Sequence, residues 1–222
     1  GKLTALVQAE RADDIFFVDG RTYRTPNEPA PPEGALLGAA QASWLLEALA
    51  ASRAVWKIIA CDMPIALMIA DPGKTVAWAN DGWSNSKPGA PGEREVELGK
   101  LLAGLRSRRV KNVVWLAADV HYAAAHRFDP SRAQGSKDFD PFWEFVAGPM
   151  HATQFPQKPL DDTFGPEVVW SSATPSTFGS PASGAQYFGL LHIDAKTHAM
   201  KVSFVDARGR DLHSLSLTPS AL

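Results

Sequence analysis

The residues of this chain that could do chemistry begin with Asp119 and His121, which follow the apolar run Val113–Leu116. That run of β-branched, aromatic and aliphatic residues predicts a short buried strand. In open α/β sheets, ligands bind in the crevice beyond the carboxyl ends of the strands. A carboxylate and an imidazole two residues apart at such a place suit a divalent or trivalent cation. The alternative is that Asp119 caps a turn and His121 packs at the edge of the core.

Two further acids also stand at the ends of predicted strands. Asp19 closes the run 14–19, and Asp62 follows the run 55–60. Carboxylates gathered at one sheet edge repel one another unless a cation or an arginine compensates their charge. Arg21 could supply that charge, or could bind a phosphate in bidentate fashion. The alternative is that Asp19 and Asp62 only begin turns, as aspartate commonly does.

Two histidines are candidates for a general acid that protonates a leaving group. His126 comes five residues after His121, and His151 lies in the turn-like segment GPMHATQF. A histidine near neutral pKa is suited to that role, although a lone histidine can equally be a structural residue. The sequence has no GxSxG, Walker, GxGxxG or HExxH motif. It therefore lacks the signatures of serine hydrolases, P-loop proteins, Rossmann dehydrogenases and zincin proteases.

The elements that must position these residues alternate between strand and helix. Helical patterns over 38–52 and 93–108 separate the strands at 14–19, 55–60 and 113–116, which predicts an α/β fold with a largely parallel sheet. A long loop is predicted over 70–92, and loops of that length are uncommon unless they serve a function. Short strand signals follow near 143–147, 167–170, 187–193, 200–206 and 212–217. We therefore expect one domain with an α/β part over 1–128, which carries the candidate metal site, and a β-rich part over 129–222.

Composition excludes several classes of protein. The 222 residues carry a net charge of −2, which argues against a polybasic surface for nucleic acids or membranes. The single cysteine, Cys61, excludes an intramolecular disulfide and is predicted to be buried. No apolar run approaches the roughly 18 residues of a transmembrane helix. The sequence does not begin with methionine, so it leaves the location of the protein open.

Several segments in order along the chain resemble the alkaline phosphatase D-like (PhoD-like) metallophosphatases. They are FFVDGRTYR, LLGAAQASWLLEALAASRAVWKIIACDMPIAL, NVVWLAADVHYAAAH, PFWEFVAGPMHATQF, LDDTFGPEVVW and FGLLHIDAKTHAMKVSFVDARG. The resemblance implies a calcineurin-like, four-layer α/β/β/α sandwich that hydrolyses phosphomonoesters and phosphodiesters at a cluster of metal ions. Iron and calcium are the metals it implies, with zinc or manganese possible, and it implies a periplasmic or secreted location.

The resemblance also assigns site residues. Asp119 and His121 match the D-x-H metal ligands of the family, and Asp62 and Asp81 lie in segments that resemble those near the site. Arg21 and His151 match positions of the family. These two residues and His126 are the catalytic candidates.

The N-terminal half of the family, which supplies the first metal-binding strands, has no counterpart here. The chain thus resembles about the C-terminal half of the enzyme, with the N-terminal half as an expected partner and a phosphate ester as substrate. The alternatives are a non-catalytic fragment or subunit of a nicked enzyme, and a phospholipase D-like lipid phosphodiesterase.

Overall fold

The structure, a computed structural model, describes residues 5–8, 12–27, 30–68, 81–87, 89–174 and 176–221. Its elements in chain order are β1 (Ala5–Gln8), β2 (Asp13–Phe17), α1 (Ala39–Ala51), β3 (Trp56–Ala60), α2 (Glu95–Ser107), β4 (Val113–Ala117), β5 (Ala124–Phe128), β6 (Phe142–Val146), β7 (Pro166–Ser171), β8 (Tyr187–Ile193), β9 (Met200–Asp206) and β10 (Asp211–Leu217). A single 3₁₀ turn covers Pro181–Ser183. The predicted loop over 70–92 is described only at 81–87 and 89–92, so most of it lies outside the described residues.

Seven strands form the main sheet, in the order β1-β2-β3-β4-β6-β5-β7. The four consecutive strands β2, β3, β4 and β6 are parallel, whereas β1 and β5 are antiparallel to the neighbours with which they pair. The predicted α/β fold with a largely parallel centre is therefore confirmed. Because β5, β6 and β7 join this same sheet, it continues past residue 128 into the part of the chain predicted to be β-rich.

Both helices pack on one face of the main sheet. Gln41, Leu45 and Leu49 recur every four residues along α1 and are buried, as this spacing on one helical face predicts. In α2 the buried residues are Glu95, Leu98, Leu101, Leu102 and Leu105. Within the described residues, no helix is long and apolar enough to cross a membrane.

The last three strands form a second, antiparallel sheet in the order β10-β9-β8. Met200, Val202 and Phe204 of β9 are buried in the same cluster as Ile58 and Phe145 of the main sheet. The second sheet thus covers the face of the main sheet opposite the helices. The described residues form three layers, helices, seven-stranded sheet and three-stranded sheet, in the order α/β/β.

Strands β1 and β5 were not expected from the sequence. In β5 the segment AAHRF is buried at four of its five positions, so it lacks the apolar–polar alternation of a half-buried strand. Its central residue, His126, carries a polar ring that breaks the apolar run. Burial from both faces of the sheet, rather than local pattern, therefore places this segment in a strand.

Candidate active site

Arg21, Asp62 and Asp119 lie in loops at one edge of the main sheet. Parallel strands β2, β3 and β4 end at this edge, and the chain leaves them into segments that carry Arg21, Asp62 and Asp119. The backbone joins the segments after the strands, since the amide of Ala118 donates to the carbonyl of Asp62 at 3.0 Å. The fold therefore brings together side chains that are up to 98 residues apart in sequence.

Arg21 lies among three carboxylates. Its Nε is 2.5 Å from Asp62 Oδ2, its Nη2 is 3.2 Å from Asp119 Oδ1, and its Nη1 is 3.5 Å from Asp81 Oδ2. These four side chains are between 32% and 47% exposed, so a solute can reach them. Burial lowers the pKa of Arg21, but the hydrogen bond to Asp62 and the charges of all three carboxylates outweigh that effect and raise it. The guanidinium compensates the repulsion that would otherwise drive the carboxylates apart.

Asp81 reaches this group because two other arginines hold its segment. Arg24 Nη1 is 2.7 Å from Asp81 Oδ1. The guanidinium of Arg94 donates to the carbonyls of Gly82 and Thr25. These contacts therefore hold the loop after β2 against the segment 81–87.

Asp119 and His121 both adopt left-handed backbone conformations, with φ of 67° and 61°. This conformation is uncommon for residues with a side chain and costs on the order of 1 kcal/mol or more each. His121 Nδ1 is 2.8 Å from the carbonyl oxygen of Thr153. Because a carbonyl can only accept, Nδ1 carries the proton, and Nε2 of the neutral ring is left with its lone pair. That arrangement is typical of a histidine that binds a metal through Nε2.

Asp62 is fixed by a close approach of the backbone. A Cβ built on Gly20 would lie 2.3 Å from Asp62 Oδ1 and 3.4 Å from Cys61 Sγ, so any larger residue there would displace the Asp62 carboxylate. Cys61 is buried as predicted. Burial raises the pKa of its thiol, which makes it an unreactive core residue.

Asp19 behaves as the turn alternative predicted. Its Oδ1 accepts the backbone N–H groups of Arg21 and Thr22, both at 2.9 Å. Hydrogen bonds from the Thr22 side chain and backbone lower the pKa of Asp19. Gln41 of α1 bonds both the N–H and the C=O of Asp19. Asp19 thus shapes the turn that presents Arg21.

The two histidines proposed as general acids lie in different surroundings. His126 is fully buried in β5, and its Nδ1 is 2.8 Å from Oε2 of the buried Glu144. A ring with no exposed surface cannot meet a substrate, so we do not retain His126 among the residues that could contact one. Ile65 lies three residues after Asp62, and its N–H donates to the other oxygen of Glu144 at 2.7 Å. The buried pair therefore holds the segment after β3. His151 is exposed in the loop after β6.

One neighbour of the site was missed in the sequence. The ring of Phe155 stacks on His121, with centroids 4.5 Å apart and planes 18° apart. Nothing in the spacing of the segment HATQF indicates this contact, because it depends on how the loop after β6 folds back toward the loop after β4.

Comparison with known proteins agrees with the fold and identifies the family. The family model of the PhoD-like phosphatases matches residues 10–204, most of the chain. The chain belongs to the PhoD-like phosphatase family. Among solved structures, "Structure of PhoD" matches with a TM-score of 0.57 at 15% sequence identity, covering 98% of this chain and 41% of that one. No match was found among curated proteins.

The PhoD-like chain therefore spans less than half the length of the solved structure that it resembles. This agrees with the expectation that it corresponds to about the C-terminal half of the enzyme, and the three observed layers fit a part of the four-layer sandwich. At 15% identity the likeness shows the fold alone, so the roles of individual residues depend on the geometry described above.

Proposed function

We propose that this chain supplies part of the active site of a metal-dependent phosphoester hydrolase. The observation that carries the proposal is the convergence of Asp62, Asp81 and Asp119 on Arg21, with His121 two residues after Asp119 and held through Nδ1 by the Thr153 carbonyl. A cluster of acids with one arginine and one histidine at the carboxyl edge of a parallel sheet suits metal ions and phosphoryl oxygens. Membership of a phosphatase family supports the same class of reaction.

Asp119 and His121 are the residues that we propose as metal ligands. Their donor atoms, a carboxylate oxygen and an imidazole nitrogen, fit iron, zinc or manganese, and the additional carboxylates of Asp62 and Asp81 fit calcium. Within the described ranges, however, no three acidic, histidine or cysteine side chains converge as ligands of one ion. We therefore propose that residues outside those ranges complete the ligand set of the metal ion. These residues include ones from an N-terminal part of the full-length protein.

Each remaining group has a task that its position allows. A bound metal would polarise the phosphoryl group and lower the pKa of a water that attacks phosphorus. Arg21 would bind phosphoryl oxygens through its forked N–H groups, and Thr153 would hold the His121 ring in its tautomer. Of the two histidines predicted as general acids, His151 is the exposed one, and we propose that it protonates the leaving group.

Two observations favour an alternative for the chain on its own. The ligand set is incomplete among the described residues, and the chain spans 41% of the solved structure that it matches. A site with two ligands of an ion holds it weakly. On this alternative the 222 residues are a fragment or a subunit without activity, and hydrolysis requires the other part.

The family suggests a location outside the cytoplasm, and we propose the same for this protein. Cell fractionation with a tagged full-length protein would test it.

Removal of metal tests the proposed function. We expect the full-length protein to hydrolyse 4-nitrophenyl phosphate and bis(4-nitrophenyl) phosphate, and to lose at least about 90% of that activity after dialysis against a chelator, because the metal supplies several kcal/mol to the transition state. Iron, calcium, zinc and manganese are then added back singly and in pairs, with the bound metal counted by elemental mass spectrometry. Full activity of a protein shown to be free of metal would overturn the proposal.

Replacement of Gly20 by alanine tests whether Asp62 must lie where it does. The added methyl would meet Asp62 Oδ1 at 2.3 Å, so the carboxylate must shift from the position in which its Oδ2 contacts Arg21. We expect hydrolysis to fall about 10- to 100-fold, as misplacement by about 1 Å can cause, with a melting temperature within a few degrees of wild type. Gly189→Ala is the control, since a Cβ there meets only the Cβ of Ala147 at 3.4 Å. Equal activity of the two variants would show that hydrolysis does not require the observed position of Asp62.

A further inference from the structure

Two large apolar side chains lie exposed beside the candidate site. Phe155 is 39% exposed and Phe178 is 72% exposed. We call these two residues the aromatic rim. Single apolar side chains at a surface need no explanation, but a group of them indicates contact with an apolar ligand or partner.

The rim is continuous with the proposed metal ligand His121. Phe155 stacks on the His121 ring at 4.5 Å, and its backbone N–H donates to the His121 carbonyl at 3.0 Å. Phe178 meets the edge of Phe155 at a centroid distance of 6.1 Å and an interplanar angle of 67°. The apolar surface therefore begins at the ring that would bind the metal and extends away from it.

Backbone bonds hold the two phenylalanines in this position. The neighbours Gln154 and Gly179 exchange backbone hydrogen bonds at 2.7 Å and 3.3 Å, and the Gln154 side chain donates to the Ser172 carbonyl at 3.2 Å. Because these bonds hold the backbone of both segments, the two rings bind a ligand at little cost in conformational entropy.

We propose that the aromatic rim binds an uncharged aryl or alkyl substituent of the phosphoester, the group that remains on phosphorus or leaves it. This inference rests on the proposed function and adds the class of substrate. A polar sugar or a bare phosphate gains nothing from two exposed phenyl rings, whereas an aryl or alkyl group buries part of them. Because this contact lies away from the reacting atoms, it selects among substrates that share one reaction.

The test compares two diesters with the same leaving group, phenyl 4-nitrophenyl phosphate and methyl 4-nitrophenyl phosphate, on the full-length protein. The ratio of their kcat/KM values measures how well the substituent that stays on phosphorus is bound, and differences in intrinsic reactivity cancel between variants. We expect Phe178→Ser to lower the phenyl-to-methyl ratio about tenfold, in the range for the loss of one apolar contact, and Phe178→Leu to restore most of it. The control Phe188→Ser changes a phenylalanine of β8 that is 40% exposed and is expected to leave the ratio unchanged.

A second pair distinguishes an aryl group from a lipid chain. It consists of monomeric dihexanoyl phosphatidylcholine and glycerophosphocholine. Their hydrolysis is measured through the protons that it releases. A fall in the ratio for this pair assigns the rim to acyl chains, and a fall only in the first pair assigns it to aryl groups. An unchanged ratio in both pairs overturns the inference. If the melting temperature of Phe178→Ser also dropped strongly, the rim would pack against the rest of the protein.

Binding without turnover separates this inference from the proposed function. Phenylphosphonate and methylphosphonate are titrated into the wild-type protein and into Phe178→Ser by calorimetry. A preference for phenylphosphonate that Phe178→Ser abolishes supports the rim even if no ester is hydrolysed. Hydrolysis with no such preference in either assay leaves the proposed function standing and overturns the inference.

Discussion

Asp119→Asn is expected to lower phosphoester hydrolysis by the full-length protein about 10²- to 10³-fold. The amide keeps the size of the carboxylate and tolerates the left-handed backbone, at φ 67°, better than alanine would, so backbone strain is not added to the loss of charge. What changes is the negative charge that faces Arg21 at 3.2 Å and that we propose as a metal ligand. A metal contributes several kcal/mol to the transition state, and each 1.36 kcal/mol is a factor of ten in rate.

The matched control for this variant is Asp138→Asn. Asp138 also pairs with an arginine, Arg106, at 3.1 Å and is 72% exposed, but it lies before β6, at the edge of the sheet opposite the site. We expect it to retain wild-type activity and metal content. If Asp119→Asn kept both as well, Asp119 would have no part in the site, and the family's D-x-H pattern would have a structural role in this chain.

The fold could be predicted to the extent that local pattern decides it. The helices, the parallel strands β2 to β4 and the meander of β8, β9 and β10 all have periodic apolar residues, and their observed bounds differ from the predicted ones by no more than two residues. β5 lacks such a pattern, because both faces of this strand are covered and the buried His126 interrupts its apolar residues. Its place between β6 and β7 depends on pairing with strands that come later in the chain.

The site could be predicted only in part. The sequence places an acid after each of the parallel strands β2, β3 and β4, and the topology then implies that these acids share an edge. It does not tell which acid contacts the arginine and which one starts a turn. That choice is made by Gln41, which fixes the Asp19 turn from α1, and by Gly20, which leaves room for Asp62. The stacking of Phe155 on His121 similarly depends on loop packing, which a one-dimensional pattern does not contain.

A second large effect is expected from a buried pair of carboxyl groups, Glu95 in the first turn of α2 and Asp161. Both are nearly fully buried. Asp161 accepts bonds from Ser84 Oγ at 2.9 Å and from the backbone and hydroxyl of Thr163 at 2.9 and 2.7 Å. Burial, and then the charge of Asp161, raise the pKa of Glu95 to about 8. Two adjacent buried carboxyls cannot readily both be charged, so Glu95 keeps its proton at neutral pH and hydrogen-bonds to Asp161.

This pair makes the stability of the protein depend on pH. The pKa of Glu95 is about 8 in the folded protein and about 4.5 when the carboxyl is solvated, so between these values the folded state binds one more proton than the unfolded state. The stabilisation is fully present below about pH 4.5 and is lost as the pH rises through about 8. From this group alone, the free energy of unfolding is expected to fall by about 1.4 kcal/mol for each pH unit in that window.

Glu95→Gln is expected to remove this slope and to leave the protein more stable than wild type above pH 8, because the amide is neutral at every pH and can still donate to Asp161. Urea unfolding at pH 5, 6, 7, 8 and 9 measures both the slope and the stability above pH 8. The control is Glu47→Gln, the same change at an exposed glutamate of α1 that contacts Arg108 at 2.7 Å, which is expected to keep the wild-type slope. The segment 81–87 contacts both carboxyls, through Ser84 to Asp161 and through the Asn85 N–H to Glu95, and the same segment carries Asp81. Loss of the proton from Glu95 should therefore loosen the acid cluster before the sheet unfolds. If the free energy of unfolding changed equally with pH in Glu95→Gln and in wild type, Glu95 would be ionised in the folded protein.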